Sequence, residues 1–381
     1  MTHSIVHFST AHNVDDTRIF YKQLQTLAEN GYDCHYVVFD GGVRETRNGV
    51  TIHPIGRQSS RIRRWWNFPQ MFSAVSNLNA DLYHFHDWDL IPVGLLLRLR
   101  TSARIIYDAH EDYPHLIDER EWIPDSIRPV VSAAFPRFEA QSSNHLDGVV
   151  AATEWIADSL HSRGVSDITT IHNFPKIRHI EVERDPAEAT DSAYTLVYAG
   201  GLSEVRGLTD MIRVVAELRD RGLDVSLVCL GEFTSEQSEN DARACLHTLN
   251  VQDAVEFLGR VSYQQMFEYL STADVGLALL DVEHYEGGIP TKLFEYMYAE
   301  LPVVITDIQA TNRYVSQDWG RIVPQNNTTK QADAVADLLA DAALRSEMGS
   351  AGRNAVESRF SWESEQDRLL ELYDRLLSES N

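Results

Sequence analysis

Segment 284–307 combines a glycine loop, a cation and a carboxylate at spacings that suit an anion-binding site. Its sequence, HYEGGIPTKLFEYMYAELPVVITD, predicts a loop, a short helix capped by Thr291, and a buried strand. A glycine loop that feeds a helix start directs backbone N–H groups at a bound anion such as phosphate. Lys292, in the first turn, opposes the helix dipole unless an anion is bound. We therefore predict a phosphate site here.

Glu295 lies three positions after Lys292, on the same face of the predicted helix. A carboxylate would repel phosphate, but it can accept hydrogen bonds from two neighbouring sugar hydroxyls. Phosphate beside a diol indicates a nucleotide ligand. The alternative is an exposed Lys292–Glu295 ion pair on a core helix, worth ~0.3 kcal/mol.

This segment resembles the donor loop of the retaining glycosyltransferases of family 4, which have two facing Rossmann-like domains (the GT-B fold). One branch of that family has GLPNKLFEYM followed by GxPVV, where residues 288–297 here read GIPTKLFEYM and residues 301–304 read LPVV. The resemblance implies that Glu295 binds the ribose. Many members carry a second glutamate with seven residues between the two; that position is Gly287 here, and the nearest acid is Glu286. The implied donor loop is Glu286, Gly287, Gly288, Ile289, Pro290, Thr291, Lys292, Leu293 and Glu295.

Residues 200–207, GGLSEVRG, follow a predicted strand and resemble the family's GRLxxxKG loop. The family's arginine is Gly201 here, and its lysine is Arg206. The resemblance implies that Arg206 and Lys292 are catalytic, because they would stabilise negative charge on the leaving diphosphate. The other implied donor-binding residues are Gly200, Gly201, Gly231 and, at the base, Arg260 and Val261.

The first half of the chain alternates strands and helices and carries two groups of histidines and carboxylates after strands. The groups are His84, His86 and Asp87, and Asp108, His110 and Glu111. Such groups could ligate a metal, so a metal-dependent hydrolase is the main alternative function. The family has HxHD and DxHE at these places and uses them to face the acceptor.

The resemblance implies that His110 and Glu111 are the catalytic residues on the acceptor side. His12, Arg18, His86 and Asp87 are the other residues that we expect there. Arg18 lies in DDTRIF, which resembles the family's DDxRIF. The sequence leaves two positions open for Arg18: it reaches the ligand, or it pairs with Asp15 on a helix surface.

The elements that position these residues belong to a chain of 381 residues with a formal net charge of −24. That charge excludes general nucleic-acid binding. Only four of the 33 basic residues are lysines, a composition typical of proteins from salt-loving microbes. The three scattered cysteines and the absence of a signal-like amino terminus predict a cytoplasmic protein.

The window 46–80 contains no acidic residue. Its arginines flank aromatic and apolar residues, which favours contact with the anionic cytoplasmic face of a membrane. The alternative is a loop that leads into a core helix. The residues concerned are Arg57, Arg61, Arg63, Arg64, Trp65, Trp66, Phe68, Met71 and Phe72.

We predict an α/β protein with two Rossmann-like domains, a cleft between them and a C-terminal crossover helix. The predicted parts are an acceptor domain at 1–175, a linker at 176–192, a donor domain at 193–355, and a helix at 356–381 that packs back on the first domain. The predicted function is retaining, hexosyltransferase-like transfer of a sugar from a UDP- or GDP-linked donor to a glycan or lipid-linked acceptor, without a metal. An inactive nucleotide-sugar-binding protein is the third hypothesis.

Overall fold

A computed structural model describes residues 2–56, 68–113, 126, 128–178, 180 and 194–378. The chain forms two compact units. One consists of Met1–Asn173 together with Trp362–Asn381, and the other is Phe174–Ser361. Each unit has its own sheet, with apolar side chains buried on both faces.

The first unit contains an eight-stranded sheet. Its strands are β1 (Ser4–Ser9), β2 (Asp33–Val38), β3 (Glu45–Arg47), β4 (Val50–Pro54), β5 (Leu82–Phe85), β6 (Arg104–Ala109), β7 (Gly148–Ala151) and β8 (Ile168–Thr170). They are ordered β3-β4-β2-β1-β5-β6-β7-β8, and every neighbouring pair is parallel except β3 with β4. Because β1, β5 and β6 are adjacent, the residues after their carboxyl ends meet at one edge of the sheet.

The helices of the first unit cover both faces of its sheet. The described ones are a π-helical segment (Thr17–Leu24) that continues as α1 (Gln25–Glu29), then α2 (Phe68–Ser76), α3 (Ile91–Arg100), α4 (Arg128–Ser143), α5 (Glu154–Ser162) and α14 (Trp362–Ser378). Asp16 caps the first segment by accepting from the N–H groups of Arg18 and Ile19. Helix α14 joins the core of this unit, where the Trp362 indole donates to Thr26 Oγ1 at 2.9 Å.

The second unit contains a six-stranded parallel sheet. Its strands are β9 (Tyr194–Ala199), β10 (Val225–Leu230), β11 (Val255–Gly259), β12 (Val275–Ala278), β13 (Val303–Thr306) and β14 (Gly320–Val323), ordered β11-β10-β9-β12-β13-β14. Its helices are α6 (Leu208–Asp220), α7 (Glu236–Leu249), α8 (Tyr263–Thr272), α9 (Val282–Tyr285), α10 (Lys292–Tyr298), α11 (Gln309–Asn312), α12 (Thr328–Ala340) and α13 (Ala342–Arg359).

Helix α10 is held against the sheet by an aromatic residue. The Tyr296 hydroxyl accepts the Ala199 N–H at 2.7 Å. Its ring covers Gly276, where an added Cβ would lie 2.5 Å from a ring carbon. This contact links the helix that carries Lys292 to the last residue of β9.

The acid-free window is described only in part. Arg57, Arg61, Arg63, Arg64, Trp65 and Trp66 lie outside the described residues, as do residues 181–192 of the predicted linker. Met71 is fully buried in the first unit's core. Helix α2 therefore packs inward, as the alternative to a membrane segment predicts for that part. Among the helices of the described ranges, none is long and apolar enough to cross a membrane.

Candidate functional site

Gly200 and Gly231 follow the adjacent strands β9 and β10, and Gly259 ends β11 beside them. The Gly200 N–H donates to Leu230 O at 2.8 Å, and the Gly231 N–H donates to Gly259 O at 2.8 Å. At Gly231, whose φ is +150°, an added Cβ would lie 2.0 Å from Gly200 O. Only glycine allows the two turns to approach so closely. The turns therefore leave a surface of bare backbone at the carboxyl edge of the sheet.

Lys292 is the charged residue nearest to this surface. It is only 8% exposed, and its Nζ lies 3.8 Å from the centroid of the Tyr198 ring. Within the described part of the chain, Nζ has no hydrogen-bond partner. Nζ also lies 3.0 Å from where a Cβ at residue 200 would be, so a glycine at Gly200 leaves room for it. A buried amine whose Nζ has no hydrogen-bond partner has unmet capacity for an anion.

Arg206 supplies the second cation, at the end of the turn Glu204–Arg206. Its Nη1 lies 3.5 Å from the positions that a Cβ would take at both Gly200 and Gly201. The guanidinium thus lies beside Gly201, where the family pattern has an arginine. Together with Tyr198, these residues define a surface that we call the cation pocket: Tyr198, Gly200, Gly201, Arg206 and Lys292.

The protonation of Lys292 reflects this arrangement. Burial, followed by the nearby charge of Arg206, holds the pKa of the Lys292 ammonium well below its usual value. An anion bound between the two cations would reverse the second effect and favour the charged amine. The nearby charge of Glu295 opposes both effects on the Lys292 pKa but does not outweigh them.

The start of α10 differs from the prediction. Thr291 has helical backbone angles and makes no side-chain capping hydrogen bond, so the predicted cap is wrong. The N–H groups of Leu293 and Phe294 donate to Pro290 O and Thr291 O, at 3.1 and 3.0 Å. The seven-residue helix thus offers fewer free donors than the sequence suggested. The buried cation carries more of the anion-binding capacity.

A second polar group lies at the carboxyl edge of the first unit's sheet. We call it the histidine cluster: His7 of β1, His84 and His86 on and after β5, and Asp108 and His110 on and after β6. His86 Nδ1 lies 3.1 Å from His110 Nε2, and His86 Nε2 lies 2.9 Å from His7 Nδ1. All of these side chains are fully buried except His110, which is 10% exposed.

Asp108 balances its charge within the unit. Its Oδ1 accepts from Arg18 Nη2 at 2.9 Å, and its Oδ2 accepts from Arg18 Nε at 3.2 Å and Gln23 Nε2 at 2.7 Å. Arg18 is 4% exposed and also donates to Ile171 O. It does not pair with Asp15, which Arg47 contacts at 2.8 Å. The surface-pair alternative for Arg18 is therefore wrong.

The protonation states of the cluster follow from burial and charge. Burial and mutual repulsion hold the pKa values of His7 and His84 well below the usual value for histidine. Burial likewise lowers the pKa of His86 to about 4. Burial alone would raise the pKa of Asp108, but Arg18 and His110 outweigh it and hold that pKa well below its usual range. His7, His84 and His86 are thus neutral buried imidazoles beside one paired carboxylate.

His12 and Asp87 border the cluster. Asp87 accepts from Ser9 Oγ at 2.6 Å and from the Thr10 N–H at 2.7 Å, so it shapes the loop after β1. His12 Nδ1 lies 2.7 Å from Asp16 Oδ2. Burial lowers the pKa of His12, but the hydrogen bond to Asp16 and the charge of Asp87 outweigh this and raise it.

Two triplets in the described residues bring possible metal ligands together. They are His7 with His84 and His86, and His86 with Asp108 and His110. Asp87 and Glu111, which the hydrolase hypothesis requires, belong to neither; Asp87 binds the loop after β1, and Glu111 is exposed. Asp108 is already paired with the Arg18 guanidinium at 2.9 Å, and this positive charge would repel a cation at the second triplet.

Sequence profiles of known families match both halves of the chain. "Glycosyltransferase Family 4" matches residues 17–175, and "Glycosyl transferases group 1" matches residues 180–355. This chain belongs to the group 1 glycosyltransferases of family 4.

Individual relatives of this family member are distant. It is 26% identical to the GDP-mannose-dependent monoacylated alpha-(1-6)-phosphatidylinositol monomannoside mannosyltransferase of Corynebacterium glutamicum, over 47% of each chain. It is 24% identical to the D-inositol 3-phosphate glycosyltransferase of Corynebacterium aurimucosum, over 81% of this chain and 74% of that one. It thus spans about half the length of the first of these relatives and about three quarters of the second.

Solved structures establish the GT-B fold of this glycosyltransferase. Sucrose-phosphate synthase of Thermosynechococcus elongatus is 18% identical and superposes with a TM-score of 0.79 over 99% of this chain and all of that one. Anabaena Alr3699/HepE in complex with UDP is 12% identical, with a TM-score of 0.77 over 98% of this chain and all of that one. At these identities the similarity concerns the fold.

The remaining predicted donor residues of this glycosyltransferase differ in their exposure to solvent. Glu295 is half-buried one turn after Lys292, on the same helix. Arg260 and Glu286 are exposed, as is Glu111 of the first unit. Those that are buried or half-buried are Gly231, Val261, Gly287, Gly288, Ile289, Pro290, Thr291 and Leu293.

Three tyrosines and one histidine were missed by the sequence analysis. Tyr198 lies under Lys292, Tyr296 fixes α10, and Tyr373 contacts His7 and His84 at 2.7 Å each. The signal for Tyr198 was available: it is a residue with a polar tip in a buried strand, two positions before the glycine turn. Tyr373 is more than 280 positions from either histidine, and no local pattern identifies such a contact.

Proposed function

We propose that the protein transfers a sugar from a nucleotide diphosphate sugar to a hydroxyl or lipid-linked acceptor, with retention of configuration. The observation that carries the proposal is the buried Lys292 ammonium, which has no hydrogen-bond partner in the described residues and lies beside the Arg206 guanidinium and bare glycine turns. Two cations over a backbone surface suit a diphosphate, because its charge exceeds what one of them can balance.

In this proposal the cation pocket acts on the leaving group. Breaking the bond between the sugar and the diphosphate develops negative charge on the diphosphate. Arg206 and Lys292 stabilise that charge, and Lys292 takes up a proton more readily as the charge grows. Glu295 accepts hydrogen bonds from the ribose hydroxyls. The two side chains make a metal unnecessary at the diphosphate.

The base of the donor is proposed to be uracil or guanine. HepE has been solved with UDP and with UDP-glucose, and the mannosyltransferase of C. glutamicum is named as GDP-mannose-dependent. Gly231, Arg260 and Val261 follow the strand ends next to the cation pocket and are the proposed base contacts. Their backbone groups can bind either base, so experiment has to choose between the two.

A panel of nucleotide sugars tests the donor proposal. We expect one UDP- or GDP-linked sugar to raise the unfolding temperature of the purified protein, and Lys292→Met to abolish that shift. Product formation with that donor is then followed by NMR, where the anomeric configuration must match that of the donor. A thermal shift without turnover for any acceptor supports the inactive binding protein instead. No shift with any member of the panel contradicts the nucleotide-sugar proposal.

The acceptor is proposed to be lipid-linked, and the protein to contact the cytoplasmic face of a membrane. The support is the acid-free window with Arg61, Arg63, Arg64, Trp65 and Trp66. We expect the protein to co-sediment with anionic lipid vesicles at the salt concentration at which it is active, since inserted tryptophans are less sensitive to salt than arginines.

The vesicle experiment has a matched pair of variants. Trp65→Ser with Trp66→Ser should abolish co-sedimentation and leave the unfolding temperature unchanged. Trp319→Ser, in the second unit and half-buried, should leave co-sedimentation intact. A wild type that stays in the supernatant, or a double variant that unfolds, favours a soluble acceptor.

A further inference from the structure

The histidine cluster and helix α14 form a closed ring of polar contacts. In order, its members are His110, His86, His7, Tyr373, His84 and Asp108. The first links are His110 Nε2 to His86 Nδ1 at 3.1 Å and His86 Nε2 to His7 Nδ1 at 2.9 Å. His86 uses one nitrogen toward each neighbour, whereas His110 faces both His86 and Asp108 with Nε2.

Tyr373 joins the two ends of the ring. Its hydroxyl lies 2.7 Å from His7 Nε2 and 2.7 Å from His84 Nδ1. His84 Nε2 then faces Asp108 Oδ2 at 3.7 Å, which is too long for a hydrogen bond, and Nε2 has no hydrogen-bond partner among the described residues. This last contact is therefore electrostatic. A hydroxyl donates one hydrogen and accepts another, so Tyr373 can pass the donor direction from one histidine to the other.

With neutral imidazoles, only two proton arrangements satisfy the four hydrogen bonds that connect His110, His86, His7, Tyr373 and His84. A neutral imidazole carries one N–H, so each link fixes the donor of the next. In the forward arrangement every histidine donates from Nε2, and Tyr373 donates to His84 Nδ1. In the reverse arrangement every histidine donates from Nδ1, and Tyr373 donates to His7 Nε2.

The Asp108 carboxylate distinguishes the two arrangements. Three ring nitrogens face its Oδ2: His110 Nε2 at 3.5 Å, His86 Nδ1 at 3.5 Å and His84 Nε2 at 3.7 Å. The forward arrangement directs two N–H groups and one lone pair at the carboxylate. The reverse arrangement directs one N–H group and two lone pairs at it. Because a carboxylate only accepts, the forward arrangement is favoured.

The link through Tyr373 decides this preference for His110. In either arrangement, one of the two nitrogens His110 Nε2 and His86 Nδ1 carries a hydrogen and the other a lone pair, and both lie 3.5 Å from Asp108 Oδ2. These two imidazoles alone therefore favour neither arrangement. The contact of His84 Nε2 with Asp108 therefore decides between the two arrangements. The hydrogen bonds through Tyr373, His7 and His86 transmit this preference to His110. Arg18 and Gln23 donate to Asp108 and contact none of the ring nitrogens by a hydrogen bond in the described structure.

We propose that Tyr373 is a positioning residue that holds His110 in the Nε2–H tautomer and so leaves its Nδ1 as an unprotonated acceptor. The hydrogen bond and the ion-pair contact of His110 in the described structure both use Nε2, and His110 is the one member of the cluster that is not fully buried. Its ligand is a hydroxyl group that donates a hydrogen bond. Only the statement that this hydroxyl belongs to the sugar acceptor rests on the proposed function.

Nitrogen NMR of the full chain labelled with ¹⁵N-histidine tests the tautomers directly. In a neutral ring the protonated and unprotonated nitrogens resonate far apart, and long-range couplings to the ring protons identify each. The signals of His110 are assigned by their loss in His110→Gln. We expect Nε2–H for His7, His84, His86 and His110. Nδ1–H at His110, or a charged His110 ring at neutral pH, overturns the proposal without any variant.

The variant Tyr373→Phe tests the link. We expect His84 to keep its Nε2–H, because it still faces Asp108, whereas His110 becomes a mixture of both tautomers. Tyr32→Phe is the matched control, since its hydroxyl also bonds to α14, donating to Asp374 Oδ1 at 2.7 Å, but lies outside the ring. That variant should leave His110 unchanged. An unchanged His110 in folded Tyr373→Phe overturns the proposal.

A second variant covers the case in which Tyr373→Phe does not fold. His84→Gln removes the deciding contact with Asp108 but keeps Tyr373, and it is expected to give the same mixture at His110. Retention of a single Nε2–H tautomer at His110 in this variant also overturns the proposal. Failure of these NMR results leaves donor binding at Lys292 untouched, because that pocket lies in the other unit. The two proposals are therefore tested separately.

Discussion

Arg18 in the first unit and Lys292 in the second are both nearly inaccessible to solvent, at 4% and 8% exposure, but their surroundings differ. Arg18 makes two hydrogen bonds to the Asp108 carboxylate and a third to a backbone carbonyl. Lys292 faces an aromatic ring and another cation. The first cation is neutralised by the fold itself, whereas the second requires a partner that the described fold does not supply.

This difference separates a charge that maintains structure from one that is available to a ligand. A buried pair of opposite charges offsets its desolvation internally and leaves no net field to attract a ligand. A buried single charge destabilises the protein until an anion arrives, so its interaction energy can be used in binding or in the transition state. The comparison predicts opposite effects of removing the two charges.

The largest effect is expected at Asp108. Asp108→Ala leaves Arg18 buried without its carboxylate and should lower the free energy of unfolding by roughly 3–5 kcal/mol. Urea denaturation measures the change. The matched control is Asp15→Ala, which breaks the exposed contact with Arg47 and should cost at most about 1 kcal/mol. Equal effects of the two substitutions would show that Asp108 is not paired as described.

Lys292→Met should act in the opposite sense on stability and strongly on turnover. We expect kcat to fall by roughly 10²–10³-fold, about 3–4 kcal/mol, and Arg206→Ala to lose a comparable amount. The unfolding midpoint of Lys292→Met without ligand should rise, because the buried amine is removed. Lys330→Met, at an exposed position, should change neither quantity. Wild-type turnover in both Lys292→Met and Arg206→Ala would contradict the role of the pocket.

His172 allows the comparison to be tested by changing the pH, because two glutamates of the first unit contact its imidazole ring. Its Nε2 lies 2.8 Å from Glu154 Oε2, and its Nδ1 lies 3.1 Å from Glu365 Oε1 on α14. Burial lowers the pKa of His172, but the two glutamates outweigh it and raise that pKa above its usual value. This stabilisation is fully present below the pKa of His172 in the unfolded chain, which is about 6.5. It is lost as the pH rises through the higher pKa of His172 in the folded protein.

The pH prediction is checked with His172→Gln. The wild type should lose more stability than this variant when the pH rises from 5.5 to 8.5, as measured by urea denaturation at each pH. The variant His145→Gln removes an exposed histidine and should follow the wild type. Parallel curves for the wild type and His172→Gln would exclude a charged His172 in the folded protein.

The smallest effect is expected from chelation. If Arg206 and Lys292 replace a metal at the diphosphate, exhaustive treatment with EDTA should leave turnover unchanged. Metal content before and after treatment is measured by mass spectrometry. A complete loss of turnover that zinc or manganese restores would support the metal-dependent hydrolase and assign a ligand role to the histidine cluster.

Sequence reasoning was most accurate where the controlling interactions are local. The buried strand predicted near the end of segment 284–307 is present as Val303–Thr306, because a β-branched segment after Pro302 has few alternatives. The predicted cap at Thr291 failed because the backbone there is already helical, which composition cannot show.

Contacts between distant positions were beyond local rules. Arg18 was assigned either to the ligand or to Asp15, three positions away, but it binds Asp108, 90 positions away. The histidines after β5 and β6 were recognised as groups, since they follow strand ends. Their pairing with Tyr373 of α14 depends on how the last helix packs in the core, which a pattern of apolar residues does not specify.

The return of α14 to the first unit determines the order in which the nascent chain can fold. Residues 1–173 leave the ribosome first, yet their core includes Trp362, Leu369 and Leu376, which are made last. The continuous Phe174–Ser361 segment can fold as soon as it is complete, while the earlier residues wait about 10–40 s at ordinary synthesis rates. The unit that is begun second is therefore the one finished first.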